Sequence, residues 1–374
     1  MDPKSLADIL PGVPIVESPL FPALAEDLGW TDEEKRIGFS LHERGYAVID
    51  FPDEELDARI DRIKDSLTPR FGSQFEDPAA VKNTGENQRL QDAWIFDDDV
   101  RAIAVNERLM ALLAKLYGRR PVPFQTLNFP VGTQQSFHSD CAHFSCLPER
   151  FMCGVWLAME DIHPDAGPLT YIPGSHRWPI VSNLMIGRSG TTNQPQSAQS
   201  PFEDAWSAMT AVTRSEPESF CPKKGQALIW AANLLHGGSF QTDPTRTRWS
   251  QVSHYYFEDC IYYTPAFSDE AIGELDTRSI ENIATGEFEP NRYLGRDLTQ
   301  IRERQAEDQR RKRRDTFFAR FRSRPANAAR GNLPEDFDAS EYLRLNPDVQ
   351  RSGADPVEHF LNHGRHERRR YRRG

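Results

Sequence analysis

The sequence predicts strands flanked by helices over residues 1–295, then a basic helical linker at 296–330 and a small helical module at 331–374. Capping signals and helical spacing mark helices near the start of the chain. Ser250, Val252 and His254 alternate with their neighbours, as a strand requires. From Arg296 onward, 20 Lys+Arg accompany 13 Asp+Glu, a net charge of +7, whereas residues 1–295 carry −18. Such a shift marks a domain boundary.

The first elements are predicted by their end signals. Thr31 and Glu34 form a capping-box pattern that begins a helix, and Gly45 ends it. Residues 46–50 (YAVID) then indicate a strand.

Two further helices are predicted downstream. Residues 53–67 place apolar side chains on one helical face, namely Leu56, Ile60, Ile63 and Leu67. Residues 106–116 predict another helix, and Gly118 ends it.

Two histidines and one aspartate form the most informative pattern. His138 and Asp140 are two apart, so in an extended segment their side chains point the same way. His236, about a hundred residues later, would complete a set of two imidazoles and one carboxylate. This set is the facial triad of non-haem Fe(II) oxygenases, which leaves positions open for a co-substrate and dioxygen. Arg248, one short strand beyond His236, is suited to hold a dicarboxylate with its planar guanidinium.

A second His-x-Asp pair, His163 and Asp165, lies in the turn-rich stretch 160–168. With 10 His and 56 Asp+Glu in 374 residues, roughly one or two such pairs arise by chance. We interpret this pair as loop residues.

Several stretches, taken in order, carry a resemblance to a known family. They are FQTLNFP at 124–130, HSD at 138–140, GVWLAMED at 154–161, AGPLTYIPGSH at 166–176, GQALIW at 225–230 and HGG at 236–238. Residues 32–260 resemble the phytanoyl-CoA dioxygenase family of Fe(II)/2-oxoglutarate-dependent oxygenases. The order and spacing of these stretches make the match more specific than any one of them.

The resemblance implies a mainly β fold, a double-stranded β-helix (jelly-roll, cupin-like) core with flanking helices. It implies that His138, Asp140 and His236 bind iron and that Arg248 binds the distal carboxylate of 2-oxoglutarate. The remaining co-substrate contacts that it implies are Gln125, Trp156, Ser250 and Arg89.

The chain departs from the family pattern at two positions. The segment from His236 to Arg248 is one residue longer than expected, so Arg246 is a rival anchor for the co-substrate. Relatives often carry Ser or Thr two residues after the distal histidine, where this chain has Gly238, and a shifted co-substrate hydrogen bond would follow.

The expected chemistry uses Fe(II), 2-oxoglutarate and O2, with ascorbate as an additive in vitro. Because Asp140 retains the carboxylate that halogenating relatives lack, we expect hydroxylation of a C–H bond in a small-molecule or saccharide-related substrate, with release of succinate and CO2. Desaturation or another oxidative outcome stays open. The alternative is a catalytically idle jelly-roll that binds metal or carbohydrate as an interaction module.

Three other histidines have open roles. His143 is either a residue near the metal that faces the substrate or a packing residue. His176 is interpreted as structural within a turn. His254 either faces the cavity or is a satisfied core histidine.

Residues 181–218 are rich in Ser, Thr, Gln and Gly and interrupt the two halves of the predicted metal site. We predict a lid-like insertion, with a disordered insertion as the alternative.

Residues 297–324 predict a charge-dense linker helix that includes the basic run 310–314. Residues 331–374 resemble a small helical module of bacterial proteins, often found beside enzymes of surface-polysaccharide assembly. We expect this module to dock on a protein partner or on the catalytic domain.

Composition indicates a cytoplasmic protein. No apolar run reaches the length of a membrane span, and the first residues lack the pattern of a secretory signal. The five cysteines are odd in number and contain no Cys-x-x-Cys pair, so we expect free thiols. The acidic catalytic part disfavours nucleic-acid binding.

Overall fold

The computed structural model describes residues 9–71, 89–189, 199–298 and 333–372. The chain divides into two compact units, residues 1–301 and 302–374. The predicted linker helix at 297–324 lies outside the described residues, apart from its first two positions.

Helices of the first unit lie mostly before the main strands. Among the described residues they are α1 (Phe21–Leu24), α2 (Asp32–Arg44), α3 (Leu56–Leu67), α4 (Asp98–Ala104), α5 (Glu107–Tyr117) and α6 (Ser200–Thr213). The predicted capping box of α2 is confirmed, because Thr31 Oγ1 accepts from the Glu34 amide at 3.2 Å and Glu34 Oε2 accepts from the Thr31 amide at 2.9 Å. Gly45 ends this helix in the left-handed conformation, at φ 82°.

Helix α3 begins at Leu56, three residues later than the sequence predicted. The carboxylate of Asp53 accepts from the Glu55 amide at 2.9 Å, so residues 53–55 form a turn before the helix. The four apolar residues predicted for one face of α3 are all buried.

The first unit has two groups of strands. The earlier group is β1 (Tyr46–Asp50), β2 (Leu90–Gln91), β3 (Pro121–Phe129), β4 (Ser145–Leu147), β5 (Met152–Ala158), β6 (Leu169–Tyr171) and β7 (Glu218–Phe220). The later group is β8 (Gln226–Ala231), β9 (His236–Gly238), β10 (Ser250–Phe257), β11 (Ile261–Tyr263), β12 (Ile280–Asn282), β13 (Glu287–Glu289), β14 (Arg292–Tyr293) and β15 (Arg296–Asp297).

Two antiparallel sheets form the jelly-roll that the resemblance implied. The large sheet has the order β1-β8-β5-β10-β3-β2, and the small sheet has the order β7-β6-β9. Apolar side chains from both sheets meet between them, where Trp156 contacts Phe220 at 5.8 Å between ring centroids and Tyr46 contacts Tyr171 at 4.3 Å. The sequence-predicted mainly β core is therefore confirmed.

Helices cover the opposite face of the large sheet. Val155 and Leu157 of β5 point toward them, whereas Trp156 between the two points into the sandwich, as the two-residue period of a strand requires. Ile37 of α2 and Ile60 of α3 belong to the same buried layer. Because the helices cover the outer face of the large sheet, a binding site on this sheet has to lie on its inner face, between the two sheets.

The second unit is helical, as the sequence predicted. Within residues 333–372, its helices are α7 (Ala339–Leu345), α8 (Pro347–Ser352) and α9 (Pro356–His359), followed by a π-helical turn at Phe360–Gly364. Tyr342, Val349 and Phe360 form its buried core. Across the described parts of both units, no helix has the length and hydropathy needed to cross a membrane.

Candidate metal centre and co-substrate pocket

A backbone pair brings the two predicted metal-binding histidines together. The His138 amide donates to the His236 carbonyl at 2.9 Å, and the His236 amide donates back to the His138 carbonyl at 3.0 Å. Residues opposed in this way on antiparallel segments project their side chains to the same side. The two imidazole centroids are 4.3 Å apart.

Each histidine ring is fixed by its own chain. His138 Nδ1 lies 3.0 Å from the Ser136 carbonyl oxygen, and His236 Nδ1 lies 3.0 Å from the Leu234 carbonyl oxygen. Because a carbonyl oxygen only accepts, each Nδ1 carries the proton, and each Nε2 presents its lone pair to the cavity.

Asp140 completes the group from a short 3₁₀ turn. Ser139 is extended, and Asp140 begins the turn. Asp140 Oδ1 lies 3.9 Å from Nε2 of His138 and 3.9 Å from Nε2 of His236. One ligand atom from each of the three residues falls within 4.8 Å of the others, and no other such group occurs in the described part of the chain.

The second oxygen of Asp140 is held by Trp230, which sequence reasoning had cited only as part of a motif. Trp230 Nε1 donates to Asp140 Oδ2 at 2.8 Å. Gly154 lies directly across the sheet from Trp230, and a Cβ at Gly154 would overlap the indole ring. No signal in the sequence marks this bond, because the pairing of Gly154 with Trp230 depends on sheet register.

The protonation states suit a divalent cation. Burial lowers the pKa of His138 to about 3, helped by the neighbouring His236. Burial alone would raise the pKa of Asp140, but the facing imidazoles and the Trp230 hydrogen bond outweigh it, so that this pKa is lowered. At neutral pH His138 is uncharged and Asp140 is ionised. Two imidazole nitrogens and one carboxylate oxygen on one side of a cavity fit Fe(II) with open coordination positions.

Arg248 lies deep in the same cavity, two residues before the start of β10. Its Nη1 donates to the Gly167 carbonyl at 3.0 Å, and its Cζ lies 5.6 Å from the centroid of the Trp156 ring. Nε is buried without a hydrogen-bond partner in the described structure. Burial lowers the pKa of Arg248 to about 10, so the group stays charged at neutral pH.

Arg246, the rival anchor, points elsewhere. Its Nε forms an ion pair with Asp243 Oδ2 at 3.0 Å, its side chain is 41% exposed, and it is not among the residues that line the cavity. The geometry therefore favours Arg248.

The other predicted co-substrate contacts differ in placement. Gln125, Trp156 and Arg89 line the cavity, which has a volume of about 410 Å³. Ser250 does not line it. Its Oγ is fully buried and has no partner among the described residues, because the short side chain ends inside the packed sandwich between its neighbours on β3 and β5.

Two histidines with open roles line the cavity and one does not. His254 is buried, its Nδ1 lies 2.9 Å from Gln125 Oε1, and its Nε2 lies 3.8 Å from Asp140 Oδ2. His143 also lines the cavity. His176 packs under Gly45 with Nε2 3.1 Å from the His42 carbonyl oxygen, so its structural interpretation is confirmed.

The loop pair and the predicted lid can also be located. His163 and Asp165 lie in a short exposed turn, where the Asp165 amide donates to His163 Nδ1 at 3.2 Å. Residues 190–198 of the predicted lid lie outside the described residues. Gln199, just before α6, lines the cavity, and Gln135 Nε2 donates to its Oε1 at 3.3 Å.

A jelly-roll with two imidazoles, one carboxylate and a buried arginine around a single cavity defines the class of Fe(II)- and 2-oxoglutarate-dependent oxygenases. The model of the phytanoyl-CoA dioxygenase (PhyH) family matches residues 41–247, more than half of the chain, and the chain belongs to that family. It is accordingly a 2-oxoglutarate-dependent enzyme whose cofactors are iron, 2-oxoglutarate and dioxygen.

The solved structures that this chain resembles are distant in sequence. The non-heme alpha ketoglutarate dependent epimerase SnoN from nogalamycin biosynthesis is 17% identical, with a TM-score of 0.45 over 62% of this chain and 85% of its own. The carbocyclase SnoK from the same biosynthesis is 15% identical, with a TM-score of 0.46 over 63% and 87%. EctD from S. alaskensis, solved with 2-oxoglutarate and 5-hydroxyectoine, is 18% identical, with a TM-score of 0.45 over 63% and 82%. These similarities are too distant to indicate a substrate, and no curated protein matches the sequence significantly.

Proposed function

We propose that this enzyme hydroxylates a C–H bond of a small-molecule substrate, with Fe(II) held by His138, Asp140 and His236. Arg248 holds the distal carboxylate of 2-oxoglutarate. One oxygen atom of O2 enters the substrate as a hydroxyl group, the other enters succinate, and the co-substrate loses CO2.

The observation that carries this proposal is the buried charge of Arg248. No Asp or Glu pairs with its guanidinium in the described structure, and only burial shifts its pKa. A buried charge without a counter-ion is costly, by several kcal/mol. A carboxylate of the co-substrate would offset that cost and accept the free donors. A catalytically idle scaffold has no use for such a group.

The remaining residues orient the reactants and exclude water. Trp156 faces the guanidinium of Arg248, and this cation–π contact holds the guanidinium in one orientation. Gln125, on the cavity wall, supplies a further polar group for the co-substrate. When bound, iron supplies the oxidising chemistry, and the protein supplies position and a closed site.

A hydroxyl-bearing substrate, including a saccharide-related one, suits the cavity wall. Four amide side chains line it, those of Gln91, Gln125, Gln135 and Gln199. Amides both donate and accept hydrogen bonds, as hydroxyl groups do. The volume of about 410 Å³ lies in the range of small-molecule sites.

The proposal is tested by succinate formation. The full chain with Fe(II), 2-oxoglutarate, ascorbate and O2 is compared with its His138→Ala and His163→Ala variants. We expect the wild type and His163→Ala to form succinate, and His138→Ala to lose it to the metal-free level. Equal turnover by His138→Ala, or no heat of 2-oxoglutarate binding to the Fe(II)-loaded wild type, would contradict the proposal.

We also propose that residues 331–374 form a docking module for a protein partner. A separate buried core around Tyr342, Val349 and Phe360 supports an independent module. Removal of residues 331–374 should leave succinate formation unchanged.

We further propose that the enzyme works in the cytoplasm. Five free cysteines, four of them buried, support a reducing compartment. Cell fractionation tests this location.

A further inference from the structure

The wall of the cavity is cationic although the protein is acidic. Residues 1–295 carry a net charge of −18. Two guanidinium groups line the cavity, those of Arg89 and Arg248, and Asp140 is the one carboxylate among the described residues that line it.

The charges of the proposed reactants leave one positive charge unmatched. A ferrous ion, the Asp140 carboxylate, the two carboxylates of 2-oxoglutarate and Arg248 together cancel. The charge of Arg89 has no counterpart in that set. A lone charge in a cleft attracts ions of the opposite sign and raises their local concentration.

Arg89 is placed to meet a substrate rather than the buried end of the co-substrate. It directly precedes β2, the edge strand of the large sheet. Leu90 packs on the helix side of that sheet, so Arg89 and Gln91, one residue to either side, project toward the cavity. Arg89 is exposed, which places its charge at the mouth, whereas Arg248 is 2% exposed.

No ion pair or hydrogen bond between described residues engages the guanidinium of Arg89. The nearby carboxylate of Asp92 is bound elsewhere, with Oδ1 accepting from the Thr126 amide at 3.1 Å and Oδ2 accepting from Gln91 Nε2 at 3.1 Å. Gln91 keeps a second amide hydrogen for a ligand.

We propose that Arg89, assisted by Gln91, binds an anionic oxygen-bearing group of the substrate at the mouth of the cavity. The substrate is then a small molecule that carries a carboxylate, phosphate or sulfate in addition to the C–H bond that is hydroxylated. This inference rests on the proposed function, because it takes iron and 2-oxoglutarate to fill the inner part of the cavity. It differs from the role in co-substrate binding that the family resemblance implied for Arg89.

The test is calorimetry on the full chain loaded with Fe(II) and 2-oxoglutarate without oxygen, so that the co-substrate is not consumed. Sodium sulfate is the probe, and sodium chloride at equal ionic strength is its control. The variants are Arg89→Gln and Arg108→Gln. Arg108 is an exposed arginine of α5 that pairs with Glu54 outside the cavity.

We expect saturable sulfate binding that weakens at least five-fold in Arg89→Gln and is unchanged in Arg108→Gln. The affinity for 2-oxoglutarate should stay within two-fold in both variants. The inference would be overturned if sulfate binds no more strongly than chloride. It would also be overturned if Arg89→Gln binds sulfate with the same affinity as the wild type. A ten-fold loss of 2-oxoglutarate affinity in Arg89→Gln would assign the residue to the co-substrate and leave the proposed function intact. Absence of 2-oxoglutarate binding in the wild type would instead overturn both.

Discussion

The indole of Trp230 and the carboxylate of Asp140 are joined by a hydrogen bond of 2.8 Å, in which Nε1 donates to Oδ2. This bond leaves Oδ1 as the oxygen that faces both imidazoles, at 3.9 Å from each Nε2. Partners of this kind set the orientation of a metal-binding carboxylate before the metal arrives.

Replacement of Trp230 by Phe should weaken metal binding. Loss of the donor frees the carboxylate to rotate, and groups in this role are worth about 10–100-fold in metal affinity. Anaerobic titration with Fe(II), or with Co(II) followed by its visible spectrum, measures the effect. Trp206→Phe, in a separate buried cluster around α6, is the matched control. Equal metal affinity in Trp230→Phe and the wild type would show that the bond does not position Asp140.

Gly154→Ala should disturb the same carboxylate from the neighbouring strand. The added methyl group would overlap the Trp230 indole, and overpacking of this kind costs about 1–3 kcal/mol. Urea unfolding should therefore show a lower free energy of unfolding, together with weaker metal binding. Gly12→Ala is the control, because its nearest neighbour would lie 3.4 Å from the new Cβ. An unchanged stability would mean that the indole moves aside without cost.

Arg248→Lys should raise the KM for 2-oxoglutarate by about 10–100-fold, because a lysine keeps the charge but loses the planar fork. Hydrogen bonds to charged groups are worth about 1.5–3 kcal/mol, which corresponds to that range. Succinate formation at varied 2-oxoglutarate concentration measures it. Arg246→Lys, at the exposed ion pair with Asp243, should leave the KM unchanged. The reverse pattern would make Arg246 the anchor.

The metal-free protein should lose stability as the pH falls below about 6.5, the ordinary pKa of histidine. The pKa of His138 is lowered to about 3 in the folded state, so between these values the unfolded chain binds the proton and the folded chain does not. Stability therefore rises with pH across this window. In His138→Gln, the free energy of unfolding should depend less steeply on pH than in the wild type. The two slopes should differ by up to about 1.4 kcal/mol per pH unit.

Urea unfolding at pH 7, 6 and 5 checks this difference. His163→Gln, at an exposed loop position, serves as the control and should keep the slope of the wild type. Parallel pH profiles for His138→Gln and the wild type would contradict a neutral buried imidazole.

Much of the fold was predictable because its signals are local. The capping box at Thr31 and the left-handed Gly45 depend on a few neighbouring residues, and both appear as expected. The first turn of α3 was placed three residues early because the side chain of Asp53 competes for the backbone, a choice that helical spacing does not reveal.

The residue types of the site could also be predicted from the sequence, since a metal needs particular donor atoms. His138, Asp140, His236 and Arg248 were all proposed from their chemistry and spacing, and the fold brings them to one cavity. Their roles remain proposals. Ser250 was implied by the family resemblance, but its side chain ends inside the packed sandwich, because strand alternation gives the direction of a side chain and not its reach.

Only the tertiary structure decided the contacts between distant strands. The backbone pairing of His138 with His236, the Trp230 bond to Asp140 over Gly154, and the choice of Arg248 over Arg246 all depend on sheet register and burial. By itself, the sequence determined which donors and which family of fold were present, because composition and short-range pattern encode them. It did not determine which partner each donor meets, because long-range contacts are set only when the sheets pack.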